Sequence, residues 1–131
     1  MRHIGILALS GILMGVLSTF VGLPFRVEFS LWLIVYLLWI VYAVRVRLER
    51  PVRRLVAAST LAGLLTGSIQ VLFMEQYKAS NPWYAEFFDS PARQLATQFL
   101  GQGIGLGLVF GLLVGLTVRW RLARGPNGQE E

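Results

Sequence analysis

The chain has no cysteine, a single histidine and little charge: Asp, Glu, Lys and Arg make up 15% of its 131 residues. Without cysteine there is no disulfide, no thiolate nucleophile and no Cys-ligated metal. A lone histidine, His3, makes neither a two-histidine zinc site nor a Ser/His relay, and its terminal position predicts a solvated ring. An ordinary soluble domain carries about 25% charged residues. A chain this small has too little interior to hide a composition that is 55% hydrophobic, so lipid is the expected solvent for the excess. No Asp, Glu, Lys or Arg is expected in the middle of any long apolar run, which removes the usual titrating carrier of proton-coupled transport. The glycines at 101, 103, 105 and 107 lack both the GxGxxG spacing and a preceding strand, so they predict helix packing rather than a phosphate loop. No enzyme chemistry, cofactor or metal is expected.

Four apolar stretches are present, at roughly 4–21, 29–46, 55–74 and 95–118. Each approaches the ~20 residues a helix needs to cross the hydrocarbon core. Lipid offers no partner to free backbone N–H and C=O groups, so each stretch is predicted to be a helix. The expected fold is a single all-α domain over 1–131, an integral membrane bundle of four transmembrane helices. The first apolar stretch ends at Gly22-Leu23-Pro24, and the joint to the second is so short that the first two helices form an antiparallel hairpin. Pro51 suits the first turn of the third helix. The first apolar run is longer than a signal-peptide core and no A-x-A site follows it, so it is expected to stay in place as a span.

Lys and Arg near the span ends set the orientation. Arg2, Arg45, Arg47, Arg50, Arg53, Arg54, Arg119, Arg121 and Arg124 fall on one side, and Arg26, Lys78 and Arg93 on the other. This nine-to-three bias predicts both termini and the arginine joint in the cytoplasm, in a multi-pass protein of a bacterial plasma (inner) membrane. The same arginines account for the net charge of +5 as topology anchors, and no nucleic-acid partner is expected. Arg45, Arg47, Arg50, Arg53, Arg54, Arg119 and Arg121 are also placed to meet acidic lipid headgroups. Residues 122–131 read as a polar tail.

Small residues let helices approach closely in lipid. Gly11, Gly15, Ser18 and Gly22 share one face of the first helix. Ser59, Gly63, Thr66 and Gln70 repeat that spacing on the third, with Gly67 beside them. Gly103, Gly107, Gly111 and Gly115 form a glycine zipper on the fourth, with Gly101 and Gly105 on its opposite side. Two readings follow: a homo-oligomer assembled through helix four, or a tight monomer with helix four at its centre. The second helix has no glycine, and its Trp32, Tyr36, Trp39 and Tyr42 predict a protein-facing aromatic stripe.

Polar residues within spans are candidate functional groups. Gln94, Gln98 and Gln102 of the fourth span lie at a similar depth to Thr66, Gln70 and Glu75 of the third. They predict either a polar pocket or mutual interhelical hydrogen bonding. Residues 75–93 form the only long joint. Trp83/Phe87 and Tyr84/Phe88 are i,i+4 pairs, so a short helix there would act as an interfacial anchor or as a lid over the bundle. The expected role is a non-enzymatic subunit, scaffold or assembly factor with the bilayer, a second copy or another membrane protein as partner. The alternative is a small oligomeric channel or transporter whose pocket is lined by glutamines.

Overall fold

A computed structural model of the chain describes residues 2–125. Residues 126–131, the end of the expected polar tail, lie outside the described residues. The described residues are helical throughout apart from short joints, with no strand among them. In order they form α1 (Arg2–Val16), continued by a π-helical turn (Leu17–Val21); α2 (Phe25–Arg45); α3 (Pro51–Leu72); the short α4 (Met74–Ser80); a 3₁₀ helix (Pro82–Asp89); and α5 (Ala92–Ala123). Four of these, α1 with its π turn, α2, α3 and α5, are long and apolar enough to cross a membrane.

The helices run past the apolar stretches because backbone geometry, not hydropathy, decides where they begin. Pro24 has φ −54° and its carbonyl accepts from the N–H groups of Val27 and Glu28. It therefore starts α2 at Phe25, one turn before the apolar run, and carries Arg26 and Glu28 into the helix. Pro51 occupies the first turn of α3, as its missing N–H allows. α5 has 32 residues. At about 1.5 Å per residue it is longer than a ~30 Å hydrocarbon core. The joint between α2 and α3 turns tightly through Arg47 (φ 46°) and Arg50 (φ 48°), which drives Leu48, 2% exposed, into the core.

The central helix is α3, with 44% of its span buried against 17% for α2. α1 lies parallel to it: Gly11 rests on Ala62, and Gly15 on Thr66 and Ile69. The Thr66 hydroxyl donates to the Gly11 carbonyl at 2.8 Å, so the small residue and the polar residue form one joint. α5 lies antiparallel on the other side of α3. Gly103 meets Gly63, Gly107 meets Ser59 and Thr60, Gly111 meets Leu55 and Val56, and Gly115 meets Val52. The glycine row of α5 therefore packs within the chain, and α3 occupies the centre rather than α5, the fourth span expected there from the sequence. A Cβ on Gly101 or Gly105 would meet nothing within 4 Å.

At the arginine end all four long helices converge. Leu7, Tyr36, Trp39, Ala43, Leu48, Leu55, Ala58, Ala62, Val114 and Val118 form one buried cluster. The Tyr36 hydroxyl lies 2.9 Å from Ser59 Oγ, which seats the aromatic stripe of α2 on the small face of α3. His3 departs from its expected solvation: its Nδ1 sits 2.7 Å from the Tyr42 hydroxyl and ties the start of α1 to the end of α2. The far end, the loop end, carries residues 22–24 and 73–91. There α2 has no buried residue before Tyr36. A cavity separates it from α3 and α5.

Candidate functional site

The cavity at the loop end has a volume of about 390 Å³. α2 lines it with Phe25, Glu28, Phe29, Trp32 and Tyr36, α3 with Gly63, Thr66, Gly67 and Gln70, and α5 with Leu95, Gln98, Phe99, Gln102, Gly103, Leu106, Gly107 and Phe110. Tyr77 of α4 and Tyr84, Phe87 and Phe88 of the 3₁₀ helix complete it. The glycines of α3 matter twice, since the backbone-to-backbone approach that seats α5 also leaves no side chain to fill this space.

Aromatic contacts shape the walls. Trp32 stacks on Tyr36 at 5.6 Å, and Tyr36 stacks on Phe110 at 5.1 Å with 12° between the rings. This pair closes the cavity towards the buried core. Phe25 stacks on Phe29 at 6.0 Å near the mouth. Tyr77 is buried, with its ring edge-on to Phe88 at 5.9 Å and to Phe99 at 5.1 Å. The 3₁₀ helix repeats every three residues, so it brings Tyr84 against Phe87 at 6.3 Å. The α-helical pairs Trp83/Phe87 and Tyr84/Phe88 expected from the sequence are not the ones that form. Trp83 is 48% exposed and does not line the cavity.

Asn81 holds this cap in place. It is 0% exposed. Its Nδ2 donates to the carbonyls of Ser18 and Tyr77, both at 2.8 Å, and its Oδ1 accepts from the Leu23 N–H at 3.1 Å. The π turn over 17–21 leaves backbone groups of this kind for a side chain to satisfy. Gly22, at φ 77°, lies against the Ser80 carbonyl, where any Cβ would clash.

Of the six polar residues expected to meet, four line the cavity: Thr66, Gln70, Gln98 and Gln102. They divide between the two roles the sequence left open. Gln70 Nε2 donates to Ser18 Oγ at 3.0 Å, and Thr66 bonds to α1, so both tie helices together. Gln98 and Gln102 are exposed and make no side-chain hydrogen bond among the described residues, which leaves their amides open to the cavity. Gln94 is exposed and lies outside it. Glu75 faces away and pairs with Lys78 at 3.4 Å, because the break at Phe73 restarts the helix before it.

The arginines gather at the opposite end. Arg50, Arg53 and Arg119 edge a shallow depression with Pro51 and Val52. Arg54 pairs with Glu49 at 3.4 Å, and Arg124 lies 4.0 Å over the Trp120 ring. Arg45, Arg47 and Arg121 are exposed.

Glu28 is the site residue that hydropathy hid, because the second apolar stretch begins one residue later. Its signal is spacing: Glu28, Trp32 and Tyr36 recur every four residues and so share a face of α2. The phenols of Tyr77 and Tyr84 are both pushed above the usual tyrosine range. Burial is the larger cause and the Glu28 carboxylate the next, with Tyr84 adding to the effect at Tyr77. The carboxylate and both phenols line the same cavity. The carboxylate takes part in neither ion pair nor any side-chain hydrogen bond found among the described residues. The lining holds no lysine, arginine or histidine. It offers apolar area, two open amides and one carboxylate.

The sequence matches no protein-family model, and comparison with curated proteins and with solved structures finds no match.

Proposed function

We propose that the chain is a non-enzymatic membrane protein that binds a small amphipathic molecule in the cleft between α2, α3 and α5. The carrying observation is the cavity itself. At about 390 Å³ it lies within the roughly 300–1,000 Å³ range of small-molecule sites. Aromatic walls with a few convergent polar groups are the usual composition of such sites. The nine-to-three cation bias orients the arginine end to the cytoplasm, so the cleft opens in the outer half of the bilayer. A plasma-membrane location is consistent with this. The use of Gly103, Gly107, Gly111 and Gly115 against α3 weighs against a scaffold assembled through that row.

The test uses an apolar aryl-diazirine photoprobe on the protein in mild detergent, with labelled residues located by peptide mass spectrometry. Saturable labelling of the cavity walls is expected. Gln102→Trp, which places a bulky ring where the amide makes no hydrogen bond, should weaken saturation by about tenfold or more, equivalent to ~1.4 kcal/mol. Unsaturable labelling confined to lipid-facing residues such as Leu37, Leu38 and Leu113, unchanged by Gln102→Trp, would overturn the reading.

A further inference from the structure

We propose that the group recognised in this cleft is an organic ammonium, held by the Glu28 carboxylate against the aromatic wall of Trp32, Tyr77 and Tyr84. The proposal rests on the reading of the cleft as a binding site and adds the charge and class of its ligand.

Three observations converge on it. Glu28 sits in the first turn of α2, lines the cavity and has no cationic partner among the described residues. An ionised carboxylate among apolar rings is stabilised by a counter-charge, and none of the lining side chains carries one. A cationic ligand would supply that counter-charge. The same cavity is lined by aromatic rings, whose faces carry a negative quadrupole that attracts a cation and repels an anion. Trp32, the ring best suited to this, is one helical turn from Glu28 on the same face of α2.

The same lining sorts one cation from another. A hard metal ion such as calcium needs six to eight oxygen ligands to replace its water. This wall offers one carboxylate among mostly apolar rings. A substituted ammonium needs no such cage, because its alkyl groups are weakly hydrated and pack on aromatic faces. The cavity has room for the cationic head and an attached ring or short chain. Exposed Leu106, Gln98 and Gln102 on α5 leave a way out for a longer tail. The ammonium has two possible sources, a free amphipathic amine or the headgroup of an aminophospholipid, and both present the same chemistry to Glu28.

The experiment compares two probes of nearly equal shape, benzyltrimethylammonium and its uncharged carbon isostere neopentylbenzene, by calorimetric titration of the purified full chain in mild detergent. The parent should bind the ammonium at least about tenfold more tightly than the isostere. Glu28→Gln should remove most of that preference and leave isostere binding unchanged. The Glu28 carboxylate makes no hydrogen bond that the substitution would break. Trp32→Leu provides a second reading: it should weaken the ammonium more than the isostere. Equal binding of both probes, or a preference that survives Glu28→Gln and Trp32→Leu, overturns the ammonium and leaves the cleft reading intact. Binding of neither probe, together with unsaturable photolabelling, overturns both. Repeating the titration in nanodiscs separates the sources. Loss of ammonium binding in phosphatidylethanolamine but not in phosphatidylglycerol identifies a lipid headgroup as the occupant, and retention in both identifies a free amine.

Discussion

Asn81 satisfies three backbone groups with one side chain and joins three parts of the chain: the π turn at Ser18, the hairpin joint at Leu23 and the end of α4 at Tyr77. Removing that amide leaves buried donors and acceptors unpaired, at about 1–3 kcal/mol for each group that water cannot reach. Asn81→Ala is expected to lower stability by about 2–4 kcal/mol, read as a fall in the unfolding midpoint in detergent. Asn81→Asp keeps the acceptor for Leu23 but loses the donor to Ser18 and Tyr77, so it should rescue only part. Full rescue by Asp would contradict the assignment. At this scale the sequence told only that Asn81-Pro82 makes a turn. The partners of Asn81 are too distant in the chain for any local pattern to name. Glu28 was hidden for a related reason: hydropathy averages a charge into a joint, whereas Pro24 starts the helix before it. His3 read as solvated because its partner, Tyr42, lies at the far end of another helix.

Helix packing turns on which glycines meet backbone and which meet open space. A Cβ on Gly107 would lie 2.6 Å from the Ser59 carbonyl oxygen, and one on Gly111 would lie 2.7 Å from Val56 Cα. Neither neighbour is a flexible side chain, so α3 and α5 would have to separate. Gly107→Ala and Gly111→Ala are each expected to destabilise by about 1–3 kcal/mol. Gly101→Ala and Gly105→Ala face nothing within 4 Å, so they should be neutral or raise stability by up to about 1 kcal/mol, since alanine is the better helix former. Thermal unfolding of the four variants in one detergent checks the contrast, and a uniform response would contradict the packing. The small-residue faces themselves were legible, because a four-residue repeat on a helix is local. Their assignment was not. Two glycine rows on α5 are equivalent until a crossing angle and register choose the one that meets Ser59 and Gly63. The cap over the cavity shows the same limit, as Trp83, Tyr84, Phe87 and Phe88 suggested an aromatic face but a 3₁₀ repeat changed which rings meet.

The whole molecule has two unlike ends, a closed one ringed by arginine and an open one lined with aromatic rings. The cation bias predicts that the closed end faces the cytoplasm. The absence of cysteine makes a single introduced thiol unique. Glu86→Cys, in the exposed cap, should react with a membrane-impermeant maleimide in intact cells. Glu49→Cys, in the arginine joint, should react only after permeabilisation. The reverse pattern would invert the protein and place the cleft in the inner leaflet. Composition by itself determined that this chain is helical and that four helices suit a bilayer, because a backbone without water must close its hydrogen bonds within each helix. Only the tertiary structure decided that α3 is central, that Gly103, Gly107, Gly111 and Gly115 face it, and that α2 stands off at one end with Glu28 over an open cavity. Those outcomes depend on crossing angles and registers between helices, which a one-dimensional pattern does not carry.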